Sequence, residues 1–351
     1  MRRLAFRCCL GLLLLVPLVA HPLPDAFDNP CPKLLLRKVV ARNGVTELYP
    51  EGFSRKRTIL EYLRIFPTEV GDKIASMGGD ELILEAGSGE GIAAEQLFGF
   101  SLETLLREEE ALFDKSRAKW ELVIDPSATL KRIGEKPLKD RPRIIGVSKE
   151  MDRKPVLGPY QGKLEFQTGR FFEDLPVQVF GNPKLILDPI GVMSYTAHPS
   201  EVLRTYLDIL APGGDIYMFL DGSRIEIEMR RSFTLGDGVQ AIKALKPVFA
   251  NRPRWIVEKA GSLRQAYFID WLVSLSQPGL EVRELETKML LSLEKDQKKF
   301  LRENRYTTIH IRKTGTGPFR IPQLELVKAD ASNNPPDRLF KIISPEAHSK
   351  P

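Results

Sequence analysis

Cysteine is nearly absent from this chain: three occur in 351 residues, at positions 8, 9 and 31. Such a count rules out a disulfide-built scaffold and any zinc site made of paired cysteines. Histidine is equally scarce, with four scattered residues, and no metal-ligand cluster stands out, so no metal is expected. No serine or cysteine nucleophile set is visible either. Charge of one sign is also in short supply. The 52 Lys and Arg side chains exceed the 46 Asp and Glu by only six, and neither an aromatic-and-basic RNA motif nor a zinc-finger spacing accompanies them. Nucleic acid is therefore not an expected partner, and the basic residues read as a solvated surface. No internal repeat is present. What remains is a chain with 42% hydrophobic side chains, long enough to bury a substantial core as one large globular domain.

One long apolar run does occur, at the N-terminus. A basic start (Arg2, Arg3, Arg7) leads into an apolar stretch from Cys8 to Val19, broken only by Gly11 and Pro17. That is the pattern of an export signal and is short for a membrane span. Cleavage after Ala20 would leave Cys31 alone and lower the net charge from +6 to +3, and Ala26 offers a later site. The expectation is an exported protein (periplasmic, extracellular or lumenal), with residues 1–20 as signal. The other reading keeps them as an uncleaved anchor, the only contact with a membrane. Residues 21–54 form an N-terminal extension.

The most specific feature is the stretch from Glu81 to Gly91, Glu-Leu-Ile-Leu-Glu-Ala-Gly-Ser-Gly-Glu-Gly. A short apolar run ends in Glu85 and is followed by Gly87, Gly89 and Gly91. Glycines here permit positive φ and let a ligand approach the backbone, and Ile92 to Phe98 can begin a helix whose N-terminus favours polar or anionic groups. A dinucleotide turn, Gly-x-Gly-x-x-Gly/Ala, is disfavoured because Ile92 falls at its last position. A glycine-rich loop without a ligand is the plain alternative. A second feature follows at Pro183 to Thr196, where a further apolar run ends in Asp188-Pro189-Ile190-Gly191. Ser200 then offers an N-cap to a helix with Val202, Leu203, Tyr206, Leu207 and Leu210 at helical intervals, stopped by Pro212-Gly213-Gly214.

The order acidic-x-Gly-x-Gly-x-Gly from Glu85 to Gly91, with Leu210-Ala-Pro-Gly-Gly before the strand Asp215 to Leu220, resembles the class I S-adenosylmethionine-dependent methyltransferases. The resemblance spans about residues 55–315. It implies an α/β fold, doubly wound, with a mostly parallel seven-stranded sheet and helices on both faces. The strand ending at Glu85 should be central, and a hairpin of the last two strands should supply the only antiparallel edge. Arg143 to Val147 and Lys163 to Phe166 read as the second and third strands, and Leu280 to Thr287 and Tyr306 to Arg312 as the last two. The implied cofactor is S-adenosylmethionine. Its methionine half would lie at Glu85, Gly87, Ser88, Gly89 and Gly91, and its adenosine half at Ser148, Glu150, Gly169, Arg170 and Asp188.

The adenosine half departs from the family pattern. Val147 is followed by Ser148 and Lys149 where relatives carry a carboxylate for the ribose, Glu150 being the nearest. Gly169-Arg170 stands where Gly-Asp is common, and Lys184 stands where many relatives have Asp. Methyl transfer in this family relies on proximity, alignment and at times a general base. Asp188, Tyr195 and His198 are the candidates beside the transferred methyl, although His198 before Pro199 also reads as a plain loop histidine. The substrate, a small molecule or a protein, is not identified by these residues. A methyltransferase-like fold kept as an exported binding or structural module is the alternative, because the cofactor is made in the cytosol.

Two connections are long, residues 99–142 and 221–277. The first holds an amphipathic helix candidate, Ser101 to Trp120, and the second a basic patch (Arg224, Arg230, Arg231), a turn at Gly236-Asp237-Gly238 and an apolar helix candidate, Leu263 to Leu275. These helical insertions are placed to cover the ligand crevice. Arg57 to Phe66 and Glu69 to Met77 read as short helices that close over the cofactor, and residues 330–351 as a mobile polar tail.

Overall fold

The computed structural model describes residues 36–40, 46–50, 59, 62, 65–66, 68–99, 127–149, 151, 162–221, 225–230, 257–258, 263–285, 306–330 and 335–343. The hairpin β1 (Leu36–Val40) and β2 (Thr46–Pro50) comes first, within the N-terminal extension. Helix α1 (Thr68–Ser76) then leads to β3 (Leu82–Ala86), and α2 (Ile92–Gly99) follows the glycine turn. After α3 (Ser127–Gly134) come β4 (Arg143–Ser148), β5 (Leu164–Thr168) and β6 (Leu185–Pro189). The short α4 (Val192–Tyr195) and the longer α5 (Pro199–Ile209) connect β6 to β7 (Asp215–Asp221).

The remaining elements are β8 (Ile225–Arg230), β9 (Val257–Glu258), β10 (Leu263–Tyr267), α6 (Phe268–Ser274), β11 (Leu280–Leu285), β12 (Tyr306–Lys313), β13 (Gln323–Asp330) and β14 (Asp337–Ile343). Seven strands form the main sheet in the order β11-β12-β7-β6-β3-β4-β5. β3 lies parallel to both β4 and β6, with Leu84 opposite Ile145 and Ile186, and only β12 runs against the rest. The expected sheet, its central strand and its antiparallel edge are all present.

Strand period explains why both faces are covered. Side chains alternate, and the central strands are apolar at nearly every position, so each face needs its own layer of helices. Leu82, Leu84, Ile186, Ile216 and Met218 face one layer, where α5 and α6 pack with Tyr206, Trp271 and Leu272. Ile83, Leu185, Leu187, Tyr217 and Phe219 face the other, where α1, α2 and α3 contribute Val70, Ile74, Ala93 and Ile133. Ile59, Tyr62 and Ile65 are helical and buried in this second layer, as their spacing predicts. Each Leu or Ile buried this way contributes about 1.5–3 kcal/mol.

Three expectations are corrected. Helix α5 begins at Pro199 with His198 in the cap position, because proline suits the first helical residue, where its missing N–H costs nothing. Ser200 is thus inside the helix, and its Oγ clamps the C-terminal segment by donating to Pro322 O (2.8 Å) and accepting from Leu324 N (2.9 Å). The stretch Leu263 to Leu275 is half strand and half helix, since β10 pairs antiparallel with β8 before α6 starts at Phe268. Third, residues 337–343, expected within a mobile tail, form strand β14. β14 lies parallel to β8 in a second sheet of order β13-β14-β8-β10-β9, with Phe340 fully buried. The domain therefore runs past 315 to at least 343. Leu324 and Phe340 supply the apolar anchors, and Arg204 binds Ile321 O and Gln323 Oε1 at 2.7 Å each. The candidate helix Ser101 to Trp120, the turn at Gly236 to Gly238 and the segment 1–20 lie outside the described residues. Among the described residues no helix is long and apolar enough to cross a membrane.

Candidate functional site

β3 is the point at which the chain changes direction across the sheet, with β4 and β5 on one side and β6 and β7 on the other. In open α/β sheets the crevice outside the carboxyl ends of the strands at such a point binds ligands. The glycine turn sits there. Gly87, Gly89 and Gly91 have φ of +78°, +57° and +69°, which side chains other than glycine adopt only with strain. Two of the three are also needed by the protein's own packing. A Cβ on Gly87 would stand 2.4 Å from the Cα of Gly191, and one on Gly91 would stand 2.4 Å from the ring of Phe166. Ser88 pins the turn to the next strand through its N–H to Val147 O (2.8 Å), and its buried Oγ has no hydrogen-bond partner among the described residues.

Glu85, buried at the end of β3, accepts a hydrogen bond from the Tyr62 hydroxyl. Ile59 N donates to Gln96 Oε1 in α2 (2.9 Å). The segment ahead of α1 is thereby tied to both sides of the glycine turn. Tyr62 was not among the sequence candidates. Its signal was the spacing Ile59, Tyr62, Ile65, Phe66, one helical stripe that marks burial but not a polar contact made by the tyrosine.

On the far side of β3 the next turn carries the catalytic candidates, and strand parity separates them. Asp188 is on the sheet face opposite to Glu85. It is fully buried under α5, where Oδ1 accepts from Gly191 N (2.8 Å) and Oδ2 from Met193 N (2.9 Å) and Tyr206 Oη (2.8 Å). Burial first, and then the charge of Asp188, raise the Tyr206 hydroxyl well above its ordinary value. A carboxylate so engaged holds the turn and presents no free oxygen for a base, which revises the expectation for Asp188 at both the catalytic and the cofactor position. Ile190, a β-branched residue at φ +47°, and Gly191 complete the turn, and Ile190 N donates to Phe219 O (2.8 Å). Tyr195 is half-buried and packs on the same layer as Tyr62, whereas Met193 packs on the opposite layer. His198 is half-buried; its N–H donates to Thr196 Oγ1 (2.9 Å) and its carbonyl accepts from Glu201 and Val202. Arg338 of β14 caps α4 by donating to the carbonyls of Thr196 and of Met193 (3.1 Å).

The carboxyl ends of β4 and β5 stand beside the glycine turn. Ser148 is buried, Gly169 (φ +78°) and Arg170 are exposed, and Gly169 N continues the ladder to Ser148 O (3.2 Å). Lys149 Nζ lies 4.9 Å from the centroid of the Phe171 ring. Glu173 is held by the Thr196 hydroxyl. Glu150 lies outside the described residues.

At the opposite end of the sheet is a buried polar network that the motifs did not reveal. His310 of β12 stacks on Tyr217 of β7 with centroids 4.4 Å apart, and its Nε2 lies 2.9 Å from Asp215 Oδ1. Arg283 Nη2 is 3.0 Å from its Nδ1. A guanidinium can only donate, so Nδ1 must keep its lone pair and Nε2 must carry the proton that Asp215 accepts. Burial, followed by Arg283, draws the imidazole down to about 4. Tyr217 donates to Glu69 (3.0 Å), and burial and that carboxylate raise its hydroxyl. Lys73 of α1 contacts Asp215, while burial, then Lys184 and Arg312, pull its amine to about 8. The network staples α1 to β7 and β12. Beside it opens a cavity of about 550 Å³, lined by residues that include Glu69, Lys73, Arg132 and Lys184.

Among the described residues no group of His, Cys, Asp and Glu could hold a metal ion. No protein-family model matches the chain, and no curated protein sequence matches it. Solved structures similar to it include a putative S-adenosylmethionine-dependent methyltransferase from Listeria monocytogenes, at 11% identity over 70% of this chain and 97% of that one, with a TM-score of 0.31. The plantazolicin methyltransferase BamL is 10% identical over 70% and 84% of the two chains, with a TM-score of 0.33. The YcgJ protein of Bacillus subtilis is 12% identical over 71% and 98%, also with a TM-score of 0.33. Scores this low add no weight of their own. Strand order, a single antiparallel strand and three positive-φ glycines at the end of the central strand make the fold that of the class I S-adenosylmethionine-dependent methyltransferases.

Proposed function

We propose that this chain is an S-adenosylmethionine-dependent methyltransferase acting on a small-molecule or protein acceptor. The observation that carries the reading is the glycine turn at the switch point of the sheet, with Gly87, Gly89 and Gly91 all at positive φ. The backbone of Gly87 to Gly91 and the Glu85 carboxylate would hold the methionine half, and Ser148 and Gly169 flank the adenosine half. When bound, the cofactor supplies a methyl group on a positively charged sulfur. The chain's contribution is placement: Tyr62 fixes Glu85 and Asp188 fixes the turn from Ile190 to Met193, and Tyr195 and His198 beyond that turn would be the candidates beside the transferred methyl. Alignment of this kind accounts for much of the barrier lowering in a bimolecular transfer.

Calorimetric titration with S-adenosylmethionine and S-adenosylhomocysteine tests the reading. Binding that Gly89→Val abolishes supports it, and no binding at millimolar concentration overturns it. One observation favours a second reading, a binding module without catalysis: Asp188 is committed to the fold, and no carboxylate stands at the described end of β4. Tight binding without methyl transfer to any acceptor would select it. The basic and apolar segment at residues 1–20 supports export, or anchorage if it is retained. Mass spectrometry of the native N-terminus separates the two.

A further inference from the structure

We propose that Thr196 is a positioning residue that ties the turn after β6 to the loop after β5, so that a cofactor settling at the adenosine end of the crevice also orders the segment from Val192 to His198. This rests on the preceding reading for what occupies the crevice. In that reading the loop leaving β5 at Gly169 borders the adenosine half, and Tyr195 and His198 are the candidates beside the transferred methyl. Thr196 lies between those two candidates in the chain and is only 2% exposed. Its hydroxyl donates to the Glu173 carboxylate and accepts from His198 N (2.9 Å). The direction of both bonds follows from chemistry, since an ionised carboxylate only accepts and a backbone N–H only donates. One oxygen thus joins the loop after β5 to the backbone of His198.

Both ends of this connection are built to transmit. On the β5 side, Glu173 stands in a short 3-10 helix, Phe172–Asp174, whose buried Phe172 stacks on Phe180 at 4.5 Å and meets the edge of Tyr206 at 5.0 Å. The loop is thereby packed against α5. On the β6 side, α4 has four residues, too few to hold a helix by their own hydrogen bonds. Asp188 holds its start through Gly191 N and Met193 N, and Arg338 holds the carbonyls of Met193 and Thr196. Those two partners come from β6 and β14, whereas Glu173 comes from the loop that the cofactor would touch. A hydrogen bond to a charged acceptor belongs to the strong class, so its loss should uncouple the two loops without dismantling either.

The test is amide hydrogen exchange of the full-length chain with and without saturating S-adenosylhomocysteine, read in peptides covering residues 87–91 and 192–198. In the wild type the ligand should slow exchange in both. In Thr196→Val the slowing over 87–91 should persist, while that over 192–198 should shrink about tenfold, the equilibrium weight of one hydrogen bond to a charged group. Thr196→Ser, which keeps the hydroxyl, should restore it. Glu173→Ala should reproduce the valine variant from the other side of the bond, and it carries the test if Thr196→Val does not fold. A purely structural role would speed exchange over 192–198 equally with and without ligand, leaving the ratio unchanged, and that result overturns the proposal. So does a wild type in which the ligand protects 87–91 but not 192–198, or a serine variant that behaves like valine. Failure of calorimetry to detect S-adenosylhomocysteine binding removes the methyl-transfer reading and the proposal with it, whereas binding without the coupling removes the proposal alone.

Discussion

Protonation of His310 should cost this fold a calculable part of its stability in mild acid. The side chain is 3% exposed, receives a hydrogen bond from Arg283 at Nδ1 and gives its proton to Asp215 from Nε2. A second proton would have to enter at Nδ1, against the guanidinium. The imidazole titrates at about 4 in the folded chain against an ordinary 6.5. Between these values the unfolded chain binds the proton and the folded chain does not, so stability is complete above pH 6.5 and declines as pH falls towards 4. Linkage gives a loss of about 1 kcal/mol at pH 5.5 and about 2–3 kcal/mol at pH 4.5, a large share of a net stability of roughly 5–15 kcal/mol. Urea unfolding of the wild type and of His310→Phe from pH 7 to pH 4.5 isolates this contribution, because carboxylate titrations cancel in the difference. The advantage of the wild type should shrink by about 2–3 kcal/mol across that range. A difference that stays constant with pH, or an imidazole found by NMR to titrate above 6, would refute the tautomer assignment and the burial argument with it.

Other predictions follow from single contacts. Gly89→Val should abolish cofactor binding at a strain of about 1–3 kcal/mol, leaving a cooperative thermal transition; retained binding removes Gly89 from the site. Gly91→Ala should instead destabilise by about 2–3 kcal/mol, because the new Cβ meets the Phe166 ring in a left-handed backbone, and chemical denaturation measures it. Asp188→Ala should cost about 3 kcal/mol or more, leaving Gly191 N, Met193 N and Tyr206 Oη without their acceptor. Arg338→Ala should cost about 2–4 kcal/mol and speed amide exchange in residues 192–197, whereas an unaffected variant would mean that β14 is not a strut of the site.

The main sheet was legible because its strands announce themselves locally. β3, β4 and β6 are short apolar runs that end in turns, and Pro212-Gly213-Gly214 marks the step into β7. The second sheet was not legible. β14 carries Arg338, Lys341 and Asp337 among its apolar residues and follows a proline-rich segment, a composition that suits a tail as well as an edge. Its partner in parallel pairing, β8, is more than a hundred positions earlier, and no local pattern encodes a contact at that separation. The same limit applies to Leu263 to Leu275, where residues at helical intervals fit a strand that turns directly into a helix.

The site divides along the same line. Gly87, Gly89 and Gly91 were readable because backbone geometry belongs to the residue itself, whereas the roles of carboxylates depend on which face of a strand they occupy. Glu85 is the fourth residue of β3 and Asp188 the fourth of β6, and the register sets Glu85 opposite Leu187. Neighbouring residues on paired parallel strands share a face, so Glu85 and Leu187 point one way and Asp188 the other. One step of register thus decides that Glu85 meets Tyr62 beside the glycine turn while Asp188 meets Tyr206 beneath α5. A motif that names an acidic residue at the end of a strand does not contain that step. The turn after β6, from which the candidates Tyr195 and His198 were read, is held by hydrogen bonds from Arg338 to the carbonyls of Met193 and Thr196, about 140 positions apart in the chain, and the local sequence does not announce them.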